Sequence, residues 1–523
     1  MPTPRAHGGA ALQPINLVSP AFFGLNTENE AALLGPEWAT TLNNVIFDRA
    51  GRIATRKGWQ SVTSTPGAAE IERVHEFRKA DGTAETIMTT SADILRSATS
   101  PTSIIGVLTL ADPHISLVNF NDKMIGFNEG VIVWTGTGDF TAVSAVSGTA
   151  PNGTIGMSAY GRLWGVDVDG HTIRYSALLD ETRWDPSDGG GVIDMSQVWP
   201  RGQDEIVALA EFNGDIVVFG RNHVVFWTDG RGATLGVDPE ALYVADTLQG
   251  VGAISQHAIE GVTGDLWFLT PNGVTSLGRV VVSKSNPQRN ISKNVQNFVG
   301  DLHRQVANPD TISMSYSPQE DIVILTFPDA GRCIIFDARQ ELPDTSFRAA
   351  SWTCNVKGMQ YMRSGAWFGS LTGSTGEVFQ YTGYDDDGES FTFSYESGWL
   401  NFGEEVGQYL KILKRIGSVT LVEASTDILY SWEFDFGVNS YQITRAAAGG
   451  LASEFNIAEF SGFRIPADSE GIAEYSGGIA LRVIPVPTRG TGQYIKVGVE
   501  VDTNNASFAL QQLTLFAKIG RVA

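Results

Sequence analysis

One pattern, repeated along more than half of the chain, limits what the chain can fold into. An apolar strand leads through a Gly- or Asp-containing turn to a very apolar strand, then through a second turn to a third strand. The unit is seen at Val74–Leu95, Ile115–Trp134, Ile155–Tyr175, Ile206–Trp227 and His257–Leu277, and more loosely at Ile312–Phe336 and Gly358–Tyr381. The starts lie 41, 40, 51, 51, 55 and 46 residues apart. A period of this length carrying three or four short strands predicts the blades of a β-propeller, six or seven of them. The middle segments, such as Met124–Phe127, Ile216–Gly220 and Ile322–Phe327, are almost wholly apolar. Such strands need cover on both faces, and radially arranged neighbours supply it.

Beyond about Tyr384 the pattern changes to longer alternating strands, as in Phe391–Trp399, Leu429–Phe436, Ala480–Val486, Tyr494–Val501 and Phe508–Ile519. Alternation buries one face and solvates the other, so a β-sandwich or platform is expected there. The chain therefore reads as all-β: an N-terminal arm and hairpin over 1–68 joining the platform, a propeller-like domain over 69–384, and a sandwich over 385–523. Helical spacing is confined to two short stretches, Glu28–Leu42 and Ile291–Val306.

Composition removes several classes of function. A net charge of −22, from 36 Lys and Arg against 58 Asp and Glu, disfavours a protein that grips nucleic acid by its phosphates. No apolar run is long enough to span a bilayer as a helix, and the first residues lack the pattern of a secretory signal. The two cysteines, Cys333 and Cys354, are expected as buried free thiols. The seven histidines are scattered, with no metal-binding spacing, and His75, His114 and His257 fall near the starts of their repeats, as repeat architecture would place them. No nucleophile elbow or phosphate loop is present, so neither catalytic residues, a metal nor a cofactor is expected. The Asp-rich turns Asp167–Gly170 and Asp385–Gly388 lack the distal acid of a Ca²⁺ loop and read as hairpin turns.

One basic cluster stands out: Arg49, Arg52, Arg56 and Lys57, on a hairpin formed around Gly51. Exposed cations there would either blunt a solvated edge strand or meet an acidic partner. The segment around them, Asn44-Val45-x-Phe47-Asp48-x-x-Gly51-x-Ile53-x-x-Arg56-Lys57-Gly58, resembles the N-terminal pattern of tail nozzle proteins of short-tailed bacteriophages. Arg174–Leu178 with Thr182–Asp185, Phe212–Gly220, Gly264–Val274 and the terminal Gly492–Val522 are similar to further parts of that family. The resemblance implies a structural, non-enzymatic virion protein, assembled in the host cytoplasm. It would be a homohexameric ring at the distal end of a short non-contractile tail, contacting adaptor proteins and tail fibres. Viral DNA would leave through its lumen without being specifically bound. Asp385, Asp386, Asp387, Glu404 and Glu405 are candidates for an acidic lumen lining that repels phosphates. Two other readings stay open: a propeller glycoside hydrolase or lyase acting on host polysaccharide, and a non-catalytic propeller scaffold.

Overall fold

A computed structural model describes residues 13–18, 20–48, 52–200, 203–230, 237–283, 290–401, 407–448, 480–503 and 505–522. They form two compact units. One is built from 61–347 and 354–381, the other from 1–60, 348–353 and 382–523. The N-terminal segment thus leaves the sandwich unit at residue 60, earlier than the expected 68. The short stretch 348–353 returns to that unit, which the repeat pattern does not reveal.

The first unit is a β-propeller. Six discrete small antiparallel sheets cover 71–103, 117–142, 156–194, 206–249, 259–276 and 356–381, and a three-strand meander over 313–337 lies between the last two. In chain order these are blades 1 to 7, with the meander as blade 6 and the three-stranded 259–276 as blade 5. Inner strands of consecutive blades lie beside one another, blade 4 meeting blade 5 through the turn Gln256–Ala258 that precedes its inner strand, and Val356–Met362 of blade 7 packs against Ile71–Arg78 of blade 1 to close the ring.

Four blades enter through the same device. Asn121-Asp122, Tyr160-Gly161, Asn213-Gly214 and Thr263-Gly264 each place two residues at positive φ between directly paired strands. Two-residue turns of this kind match the right-handed strand twist and fix the register of the hairpin. The second strands are buried at nearly every position, as in Asp215–Gly220 and Ile322–Phe327. Their side chains fill cores between consecutive blades. Val217 and Phe219 of blade 4 pack with Leu266 and Phe268 of blade 5, and Ile71, Val74 and Met88 of blade 1 pack with Met362 and Val378 of blade 7. The ring is also closed by backbone: Val62 N–H donates to the Val378 carbonyl at 2.9 Å, and Val378 N–H donates to Thr63 Oγ1 at 2.9 Å.

The second unit is a two-sheet sandwich. One sheet orders Ala480–Pro487, Tyr409–Val422, Phe508–Val522, Ile53–Thr55 and Val45–Phe47, with Gln13–Val18 also paired to Phe508–Val522. The other orders Arg348–Trp352, Trp38–Asn43, Thr392–Ser397, Ile495–Asp502, Thr426–Phe434 and Asn439–Ala447. Burial alternates along Thr392–Ser397 and Thr426–Phe434, as one-sided strands require. Phe393 and Phe508 meet edge to face between the sheets at 5.0 Å.

The helix expected over Glu28–Leu42 does not form. The Asn26 carboxamide accepts the N–H groups of Glu28 and Asn29 and holds a turn. Gly35-Pro36 then breaks any helical run, and Trp38–Asn43 is a strand. The other stretch does contain a helix, Gln296–Gln305, with Val299 and Leu302 buried. Cys333 and Cys354 are buried thiols whose Sγ atoms face each other at 2.8 Å.

Candidate functional site

The basic cluster is not a surface of four exposed cations. Val45–Phe47 and Ile53–Thr55 do pair as a hairpin, and Arg52 at its turn bonds Asp48 at 2.6 Å. Arg56, however, is wholly buried. Its guanidinium grips the Asp386 carboxylate through both terminal nitrogens, at 2.8 and 2.6 Å, and its Nε donates to Asn44 Oδ1 at 3.0 Å. It also donates to the Lys57 carbonyl at 2.9 Å and lies 3.7 Å from the centre of the Phe391 ring. Arg56 is therefore unavailable to a partner, and Asp386 is occupied and not a free lumen charge. A buried guanidinium needs this number of partners to offset its lost hydration, and the sandwich unit supplies them.

Asp385 accepts Gln60 Nε2 through its carbonyl at 2.7 Å, while Asp387 is exposed. Lys57 is half-buried. Arg49, Glu404 and Glu405 lie outside the described residues. The Asp385–Gly388 turn thus serves to lock the hairpin. Gly58, between the two, donates its N–H to Gly383 O at 3.0 Å, and a Cβ there would stand 1.6 Å from Asp385 O. Gly58→Ala is expected to destabilise the protein by about 1–3 kcal/mol, because backbone must shift to admit the methyl. Urea unfolding followed by fluorescence measures it; an unchanged midpoint would show that the turn moves freely.

The other expected turn, Asp167–Gly170, is also structural. Asp169 accepts the N–H groups of His171 and Thr172, and Asp167 pairs with Arg174 at 2.7 Å. Among the described residues no group of three or more His, Cys, Asp or Glu is arranged to hold a metal.

The inner strands of the propeller enclose the candidate site. A cavity of about 450 Å³ is lined from blades 1, 5, 6 and 7 by residues that include Arg73, His75, His257, Glu260, Tyr316 and Tyr361. The repeat brings these groups together, because the first strand of every unit lies nearest the axis. His114, just ahead of the inner strand of blade 2, approaches from across the ring: its carbonyl meets His257 Nε2 at 2.7 Å.

Burial governs the charges here. It drives His75 down to about 3 and His257 well below its ordinary value, with the Arg73 cation adding to the effect in both. His114 is lowered by the same two causes, against opposing carboxylates. Burial also brings Arg73 down to about 10, opposed by Asp310. Glu260 is pushed up to about 8 by burial, opposed by the N–H bond from Tyr316. Near pH 7 the cavity therefore holds one formal cation, two neutral imidazoles and a protonated carboxyl group.

Sequence reasoning marks the three histidines at repeat starts and reads them as architecture alone. The signal it carries further is their equivalence: groups at the same place in several blades must converge at the axis. Arg73 and Glu260 belong to no motif at all.

No family model matches the chain, and no curated protein matches it. Solved structures do align. "YCF48 bound to D1 peptide" is 11% identical, covering 63% of this chain and 98% of that one, with a TM-score of 0.36. The AfRom2 CNH domain is 10% identical, covering 62% and 97%, with a TM-score of 0.34. PorZ of the type-IX secretion system of Porphyromonas gingivalis is 10% identical, covering 65% and 43%, with a TM-score of 0.32. The sheet order and ring closure described above define this chain as a β-propeller joined to a β-sandwich.

Proposed function

We propose that the chain is a structural virion component, the subunit of a homohexameric nozzle ring at the distal end of a short phage tail. In this reading the ring contacts adaptor proteins and tail fibres, encloses the exit channel for DNA, and does no catalysis. The observation that carries it is the role of the Asn44–Gly58 segment, whose pattern resembles that family. Asn44 is fully buried, and its side chain bonds Arg56, Thr353 and the Thr392 carbonyl; Gly58 fits only without a Cβ. The motif thus consists of residues that knit the sandwich unit together from segments far apart in the chain, in keeping with the platform part the resemblance implies. The net charge of −22 suits a channel wall that DNA slides past. A phosphate-repelling role would have to rest on acids other than Asp386.

The purified chain is expected to give a mass six times that of the subunit by light scattering, and rings of six by negative-stain microscopy. A monomer that cleaves host polysaccharide would sink the proposal. A second reading, a non-catalytic propeller scaffold, is favoured by one feature: blade 3 and its loops expose Leu178, Leu179 and Val192 at 41%, 53% and 49%. Exposed apolar side chains of this size suit a protein partner. A stable, catalytically silent monomer would turn the choice toward it.

A further inference from the structure

We infer that the axial cavity of the propeller is a binding site for a small monocarboxylate with an apolar body, held by the Arg73 guanidinium. The inference stands apart from the nozzle proposal and rests on an imbalance within the fold. Arg73 is only 6% exposed, yet the one hydrogen bond of its side chain among the described residues is a long one, from a terminal nitrogen to the Asp310 carbonyl at 3.4 Å. Its Nε has no partner. A guanidinium carries five N–H donors, and burying them unpaired is costly.

The same chain shows what a satisfied buried arginine looks like. Arg56, also buried, receives a carboxylate in a two-pronged grip, a side-chain amide and a carbonyl. Arg73 receives no carboxylate of its own among the described residues: Asp310, whose charge acts on it, spends its Oδ1 on the Ser255 hydroxyl at 2.7 Å. What Arg73 has instead is the cavity. His75 Nε2 and the Tyr361 hydroxyl line the same space and are likewise unpartnered.

The chemistry of the walls narrows the ligand. A volume of about 450 Å³ falls within the range of small-molecule sites. One cation matches one negative charge, so a monoanion fits better than a phosphate dianion, and the planar fork suits a carboxylate. Val74, Ile259, Met314 and Met359 add apolar wall to a lining that also carries Gln256, Ser315, Tyr316 and Gln360, enough to receive a short hydrocarbon or aromatic body beside the carboxylate. Glu260 is the acid that could repel such a ligand. It shares the cavity with Arg73, His75 and His257, and below about pH 8 its carboxyl group is protonated and can donate a hydrogen bond.

Benzoate serves as the probe, titrated into the full chain at pH 6.5 and constant ionic strength, with calorimetry and thermal melting as readouts. Saturable one-to-one binding and a rise in Tm are expected, with benzyl alcohol and inorganic phosphate each binding at least tenfold more weakly. Arg73→Met should abolish the benzoate response while the free protein keeps or raises its Tm. Glu260→Gln should retain binding at pH 9, where the parent protein weakens at least tenfold. Absence of saturable binding, equal affinity for benzoate and benzyl alcohol, or undiminished binding by folded Arg73→Met would each overturn the assignment. The comparison of benzoate with benzyl alcohol needs no variant, so the test survives if Arg73→Met does not fold.

Discussion

Asp386→Ala is expected to lower stability by about 3 kcal/mol, the low end of the range for removing one partner of a buried ion pair, because Arg56 is wholly buried and Asp386 only partly so. The loss comes from what remains. Arg56 would keep its bonds to Asn44 and the Lys57 carbonyl, but its charge would be left inside the sandwich unit, fully shielded from water. Asp386 also accepts the Trp59 N–H at 3.2 Å, so the variant loses that bond as well. Urea denaturation followed by tryptophan emission reads the effect, with Trp352, whose ring centre is 5.8 Å from the guanidinium, as a local reporter. The double variant Arg56→Met/Asp386→Leu should recover most of the loss, since an apolar pair has no charge to strand. If Asp386→Ala changes stability by less than about 1 kcal/mol, the value of an exposed pair, the bridge is not the lock described here.

The second large effect is a stability optimum near pH 6.5, shaped by the propeller axis. His75, His114 and His257 are held below their ordinary values in the folded protein. As pH falls through about 6.5 the unfolded chain takes up protons that these buried imidazoles refuse, so stability drops on the acid side. Glu260 works in the opposite sense. Its folded value of about 8 lies above the ordinary carboxylate range, so between roughly pH 4.5 and 8 the folded state holds a proton that the unfolded chain has released. Stability therefore declines as pH rises through that window and levels off beyond it.

Each proton is worth roughly 1–2 kcal/mol per pH unit where the two states differ. Three histidines against one carboxyl make the acid limb the steeper of the two. Urea midpoints collected from pH 5 to 9 should show this asymmetry, and Glu260→Gln should flatten the alkaline limb while leaving the acid limb in place. A profile that rises steadily from pH 6.5 to 8 would refute the account of Glu260.

The propeller is legible because a short unit recurring along the chain leaves its period in the sequence. Turns such as Asn213-Gly214 declare themselves by residue type, and the apolar second strands come after them at a fixed distance. Elements set by distant pairing are harder to read. Trp38–Asn43 passes for helix because its strand partner, Thr392–Ser397, lies some 350 positions away, where no local pattern can register it. The fate of Arg56 is hidden for the same reason. A cation beside other cations reads as a surface group until Asp386, from the far end of the chain, is found against it. The axial site falls between these cases, since its histidines are visible but Arg73 and Glu260 become notable only once the fold sets them in one cavity.

The closure of the ring at Val62, Thr63 and Val378 bears on how the propeller comes apart. A linear stack of repeats has two ends, and unfolding can creep inward from either one. A closed ring has no terminal blade to fray, and here its first and last segments are stitched to each other. Loss of any one blade exposes both of its neighbours. The propeller should accordingly resist proteolysis almost completely until it yields as a whole, and cutting the stitch at 62–63 should convert that single event into a gradual one.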